Sequence, residues 1–109
     1  MTPRKLQKIK LELGSLRRSQ ARAADLESLA KRLGRKLVKG RSEPTWESQE
    51  FDELFPLSIP HHGGRDIPIG TRRNILDQLQ EDVFAWERRF NEEHDYEDGD
   101  EHVDGNGAE

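Results

Sequence analysis

The sequence contains no cysteine, and it is poor in aromatic and aliphatic residues. The absence of cysteine excludes a disulfide scaffold, a thiolate zinc site and a cysteine nucleophile. No apolar run of about 18 residues occurs, so the sequence predicts no membrane-spanning helix. The basic N-terminus is not followed by the apolar stretch of a secretory signal, so we expect a cytoplasmic protein. With 31 % hydrophobic and 37 % charged residues among 109, we expect one small domain with part of the chain outside its core.

The charges are distributed unevenly along the chain. Residues 1–41 carry a net charge of +10, residues 42–90 carry −5 and residues 91–109 carry −9. The basic segment is able to bind phosphate groups with salt-dependent affinity, and the alternative is a solvated helix face. The acidic segment 91–109 is nearly free of aliphatic residues. It therefore cannot bury enough surface to offset its ordering entropy, and we predict that it is disordered.

Hydrophobic periodicity predicts an α+β domain with the element order α-α-β-β-β-α. Apolar residues recur at helical spacing in three segments, and short alternating segments bounded by turn residues indicate strands. The predicted helices span 3–16, 20–33 and 71–90, and the predicted strands span 36–39, 45–48 and 57–59. We expect the three strands to form an antiparallel sheet packed by the helices.

The predicted elements divide the chain into a basic helical extension at 1–19, an α+β domain at 20–90 and an acidic tail at 91–109. The last helix, 71–90, has an apolar face that can pack on the N-terminal helix, on a partner protein or on a second copy of the chain. A homodimer through this helix is therefore one hypothesis. Trp46, in the second strand, is interpreted as a core residue, with stacking on an RNA base as the alternative.

The densest polar cluster lies at residues 60–66, which read Pro-His-His-Gly-Gly-Arg-Asp. Imidazole accepts or donates a proton near pH 7, and a cation stabilises charge on phosphorus. His61, His62 and Arg65 therefore fit RNA phosphodiester cleavage, and the alternative is a polar loop in which one histidine caps the following helix. Adjacent histidines on an extended chain point to opposite faces and no carboxylate completes a ligand set, so we expect no metal site.

Three segments carry a resemblance to a known family. They are residues 25–34 (DLESLAKRLG), 57–62 (LSIPHH) and 70–79 (GTRRNILDQL). In this order they are similar to the first helix, the strand that ends in Pro-x-His, and the closing Gly-Thr helix of HicA. HicA is the toxin of a bacterial type II toxin–antitoxin pair. The resemblance extends over about half of the chain.

The resemblance implies a fold like that of double-stranded-RNA-binding domains, which recognise RNA shape and 2′-hydroxyl groups more than base sequence. It also implies a metal-independent mRNA endonuclease that needs no cofactor and is inhibited by a HicB-like antitoxin. The family's usual Gly-Ser-His motif is altered here. Ser42 matches the serine, but Glu43 stands where the family has its catalytic histidine, and His62 matches the family's other histidine by its spacing from Pro60.

Three interpretations of this departure stay open. His62 or His61 acts with Glu43 as a rearranged catalytic pair, the protein binds RNA without cleaving it, or the chain is an interaction module that keeps only the scaffold. DNA binding through a helix-turn-helix at 4–33 has little motif support. For the RNA-binding hypotheses, the residues expected to contact RNA are Arg35, Lys36, Lys39, Arg41, Ser42 and Arg65.

Overall fold

The computed structural model describes residues 1–40, 42–60 and 64–98, with side chains as far as residue 93. In chain order its elements are α1 (Pro3–Arg18), α2 (Ala23–Arg32), β1 (Arg35–Val38), β2 (Thr45–Ser48), β3 (Leu57–Ser58) and α3 (Ile69–Asp98). The strands form one sheet in the order β1-β2-β3, and both strand pairs are antiparallel. The predicted α+β class and the order α-α-β-β-β-α are therefore confirmed.

Backbone hydrogen bonds and a glycine set the limits of α2. The helix begins at Ala23, later than the predicted residue 20, because the carboxylate of Asp25 accepts a hydrogen bond from the backbone N–H of Arg22 at 2.9 Å. Gly34 follows the helix with φ of 98°, a left-handed conformation that a side chain would strain. This turn leads the chain directly into β1.

Helix α1 is packed into the same core as the rest of the chain. Three apolar side chains of its buried stripe belong to one hydrophobic cluster with those of α3: Leu6, Ile9 and Leu13. Among the described side chains, two ion pairs join the rims of these helices: Lys10–Glu87 at 2.7 Å and Arg17–Asp77 at 2.9 Å. The residues predicted as an extension, 1–19, thus contribute to the core of the segment predicted as the domain.

Helix α3 is the longest described element, and its apolar face is covered. It begins at Ile69 and continues to Asp98, so it runs eight residues past the predicted end and into the segment predicted to be disordered. Residues 99–109 lie outside the described residues. The apolar side chains that a homodimer through this helix would use are buried within the molecule: Ile75, Leu76, Leu79, Val83 and Trp86. Of the three partners considered for this face, the N-terminal helix is the one observed.

The two tryptophans are both buried but differ in hydrogen bonding. Trp46 is 4 % exposed, which confirms its interpretation as a core residue, and Lys31 Nζ lies 5.7 Å from the centre of its ring. Its indole N–H has no partner in the described part of the chain. Trp86 instead donates its indole N–H to the carbonyl of Leu33 at 2.9 Å, where α2 ends.

We expect Trp86→Phe to lower the free energy of unfolding more than Trp46→Phe does. Both variants lose similar apolar area, but only Trp86→Phe leaves the buried carbonyl of Leu33 without its donor. Trp46→Phe removes an N–H that has no partner, and the expected difference is about 1–3 kcal/mol. Urea unfolding followed by circular dichroism measures it. Equal losses would mean that the hydrogen bond between Trp86 and Leu33 adds nothing to stability.

Candidate functional site

Strand pairing brings three strand ends together at one end of the sheet. Thr45, the first residue of β2, pairs with the last residue of β1 and with the last residue of β3. Pairing continues one step further, because the backbone N–H of Ile59 donates to the carbonyl of Pro44 at 3.1 Å. We call this region the hairpin end, and its described residues are 39–40, 42–44 and 59–60.

Ser42 and Glu43 lie at the hairpin end with exposed side chains. The carbonyl of Glu43 accepts a hydrogen bond from the hydroxyl of Thr45 at 3.0 Å, which fixes the backbone just before β2. Continuing the register of β2 and β3 by two residues puts Glu43 level with Pro60. The backbone of Glu43, the residue predicted to act in catalysis, is therefore beside the point where the chain leaves the sheet.

The other predicted residues at this end are described in part. Three lie outside the described residues: Arg41, His61 and His62. Arg65 is exposed in the segment that leads to α3. That segment is held beside the start of α2, because the backbone N–H of Ile67 donates to the carbonyl of Ala21 at 2.7 Å and Asp66 lies 3.8 Å from Arg22. Both flanks of the two histidines are thus tied to the fold.

Two predicted RNA-contacting lysines are exposed along β1 and directly after it. Lys36 lies opposite Glu47 in the neighbouring strand, and Lys39 follows β1 at the hairpin end. Among the described side chains, no carboxylate forms an ion pair with either lysine. Both ammonium groups are therefore available to a polyanion.

Arg35 is buried, so the prediction that it contacts phosphate is wrong. Its side chain is 1 % exposed, and its guanidinium pairs with both carboxylate oxygens of Asp82 in α3, at 2.7 and 2.8 Å. The same group donates to the backbone carbonyls of Trp46 and Phe55, each at 2.9 Å. Arg35 is therefore a structural residue that joins β1 to β2, to the segment before β3 and to α3.

Asp82 is the partner that the sequence analysis missed. Burial raises the pKa of its carboxyl, whereas the hydrogen bonds and the positive charge of Arg35 act in the opposite direction. A signal for this residue was present, because Asp82 falls inside the apolar stripe of the last helix, between Leu79 and Trp86. A carboxylate in such a stripe needs a buried cation, and the sequence leaves open which one.

Comparisons of the chain with protein-family models, with curated proteins and with solved structures find no match. The resemblance to HicA and to double-stranded-RNA-binding domains thus stays a prediction. In the part of the chain that the structure describes, no cluster of three or more histidine, aspartate or glutamate side chains is arranged to hold a metal ion. No helix there combines the length and apolar character needed to cross a membrane.

We expect Arg35→Met to lower the free energy of unfolding by about 3–5 kcal/mol, because it leaves the charge of Asp82 buried without its partner. Lys36→Gln is the matched control, since it removes one positive charge from the next residue at an exposed position. The control should change stability by at most about 0.5 kcal/mol. Chemical unfolding of both variants measures the contrast. If Arg35→Met loses little free energy of unfolding but weakens RNA binding, Arg35 would contact RNA after all.

Proposed function

We propose that the protein binds RNA at the hairpin end and cleaves it without a metal ion, as an mRNA interferase of the HicA type. The observation that carries this proposal is that the end of β1, the start of β2 and the end of β3 lie together at the hairpin end. The backbone N–H of Ile59 donates to the carbonyl of Pro44, so Glu43 and Pro60, the residue before His61 and His62, each lie next to this contact along the chain. From α2 to α3 the chain forms a helix, three antiparallel strands and a helix. This order agrees with the fold that the HicA resemblance implies.

The proposed chemistry needs a base, an acid and a cation. The base takes the proton of a 2′-hydroxyl as the 2′-oxygen bonds to phosphorus, and the acid gives a proton to the 5′-oxygen as its bond to phosphorus breaks. Glu43 and a histidine, His62 or His61, would share the first two roles. A cation stabilises the charge that develops on phosphorus, and Lys39 at the hairpin end or Arg65 would supply it.

The proposed RNA contacts are the exposed or undescribed polar residues around this end: Lys36, Lys39, Arg41, Ser42 and Arg65. Arg35 is left out because its guanidinium is buried against Asp82. The substrate would be mRNA in the cytoplasm, and the inhibitory partner would be a HicB-like antitoxin, as the resemblance implies. Phosphate contacts of this kind fix the position of the RNA and carry no sequence information themselves.

A second candidate function is an RNA-binding or protein-interaction module without nuclease activity. Glu43 in place of the family's histidine favours it, because a carboxylate is a poor proton donor near neutral pH. An exposed aromatic residue favours protein contact. Phe55 is 82 % exposed beside a groove of about 570 Å³, which Leu54 and Pro56 also line. Aromatic residues are enriched at protein interfaces relative to the rest of the surface, and a HicB-like antitoxin is the partner proposed for this one.

The test is cleavage of a labelled, structured mRNA by the purified protein in EDTA. We expect His62→Ala and Glu43→Gln each to reduce the cleavage rate by about 10²- to 10⁴-fold, as the loss of an acid or a base does. Glu93→Gln, which neutralises an exposed carboxylate on α3, is the matched control and should cleave like the wild type. EDTA and the variants together exclude metal-dependent contaminants.

Each outcome distinguishes the two candidates. Cleavage that survives in both His62→Ala and Glu43→Gln would contradict the proposed catalytic pair. Absence of cleavage with salt-sensitive retention of the RNA would support the binding module. Absence of both cleavage and retention would contradict RNA binding, and would leave the surface around Phe55 as the basis of an interaction protein.

A further inference from the structure

We propose that a groove between α1 and α3 binds a backbone phosphate of RNA, at a place separate from the hairpin end. The groove has a volume of about 260 Å³, and it is lined by Arg17, Ile69, Arg72, Arg73 and Leu76. We call it the arginine groove. The inference rests on the proposed RNA binding, because it assigns an anchoring site for the same ligand.

The arginine groove gathers positive charge that the fold leaves largely uncompensated. Arg17 of α1 pairs with Asp77 at 2.9 Å. Within the described residues, neither Arg72 nor Arg73 forms an ion pair with a carboxylate. Three guanidinium groups and one carboxylate therefore lie at the arginine groove. Like charges at close range disfavour the folded state, and a bound anion removes that repulsion.

The chemistry of the lining matches a phosphodiester better than a free inorganic anion. Guanidinium groups are planar and present paired N–H donors that fit the oxygens of a phosphate. The floor beside them is apolar, and Ile69 remains 62 % exposed there. A ribose or a base attached to the phosphate would cover this apolar surface, and bases also stack on guanidinium planes. An inorganic phosphate would leave Ile69 in water.

Asp77 opposes the binding of an anion while it holds Arg17 at the groove. The carboxylate of Asp77 is 60 % exposed and the Arg17 side chain 34 % exposed, so their ion pair lies at the surface. Exposed ion pairs contribute little to stability, so a phosphate is able to replace Asp77 as the partner of Arg17. Asp77→Asn should therefore strengthen RNA binding, a direction that misfolding cannot imitate.

The experiment measures binding of a fluorescent RNA oligonucleotide by anisotropy between 50 and about 300 mM KCl. The oligonucleotide carries 2′-O-methyl groups, which prevent cleavage through the 2′-oxygen, so that binding is observed alone. The test variant is Arg72→Gln with Arg73→Gln. The control variant is Arg4→Gln with Lys8→Gln, which removes two exposed charges from the first two turns of α1, about 20 and 14 Å from Arg17 along the helix axis.

If the arginine groove binds the backbone, the test variant should lose at least about tenfold in affinity at the lowest salt. The slope of log affinity against log salt should become shallower by about 0.7, the value for the one single-strand phosphate contact that the groove is proposed to make. The control should change the slope by at most about half as much, and Asp77→Asn should raise the affinity about threefold. Circular dichroism verifies that every variant is folded.

Other outcomes separate failure of the groove from failure of the proposed function. Equal losses in the test and control variants, or no gain with Asp77→Asn, would overturn the arginine groove and leave RNA binding in place as an effect of overall charge. If the wild-type protein does not bind the oligonucleotide, the groove is overturned, and the cleavage test on unmodified mRNA decides the proposed function separately.

Discussion

The buried ion pair between Arg35 and Asp82 fixes how the sheet lies against the last helix. One guanidinium satisfies both oxygens of the carboxylate and the backbone carbonyls of Trp46 and Phe55. A buried charge is tolerated only when its hydrogen bonds are met, so β1, β2 and α3 have little freedom to shift relative to one another. Since β1 and β2 continue into the hairpin end, this pair also determines where Lys39 and Glu43 lie.

Part of the uneven charge of the sequence is used in ion pairs within the folded molecule. Among the described residues, four ion pairs connect the basic segment 1–41 to the acidic segment 42–90: Lys10–Glu87, Arg17–Asp77, Arg22–Asp66 and Arg35–Asp82. The two segments therefore neutralise one another across the folded molecule, and the net charge of either is a poor measure of what it offers to a ligand. Lys39 at the hairpin end and Arg72 and Arg73 in the arginine groove have no carboxylate partner among the described residues, and the RNA-binding proposals use all three.

Local patterns predicted the elements well and the long-range contacts poorly. The limits of β2 match the prediction, because alternation between turn residues is readable over a few positions. Helix α3 outruns its predicted end, since residues 91–98 lack the apolar spacing that marks a packed helix. The burial of Arg35, predicted as an RNA contact, is not readable from the sequence, because arginine is rarely buried and its partner Asp82 lies 47 residues away, beyond any local spacing rule. The sequence predicts the packing of α1 against α3 only as one of three alternatives, beside a partner protein and a second copy of the chain.

The candidate sites fit a division between anchoring and chemistry. Glu43 and the histidines would supply the acid and base near the hairpin end, whereas the arginine groove is lined by three guanidinium groups, with Asp77 as the carboxylate partner of one of them. Phosphate contacts position a nucleic acid and leave the reacting bond to other groups. The chain itself links the two places, because the segment after Pro60 begins at the hairpin end and enters α3 at Ile69, on the wall of the groove. If both proposals hold, the groove would anchor the RNA strand, and Glu43 with His61 or His62 would act on it.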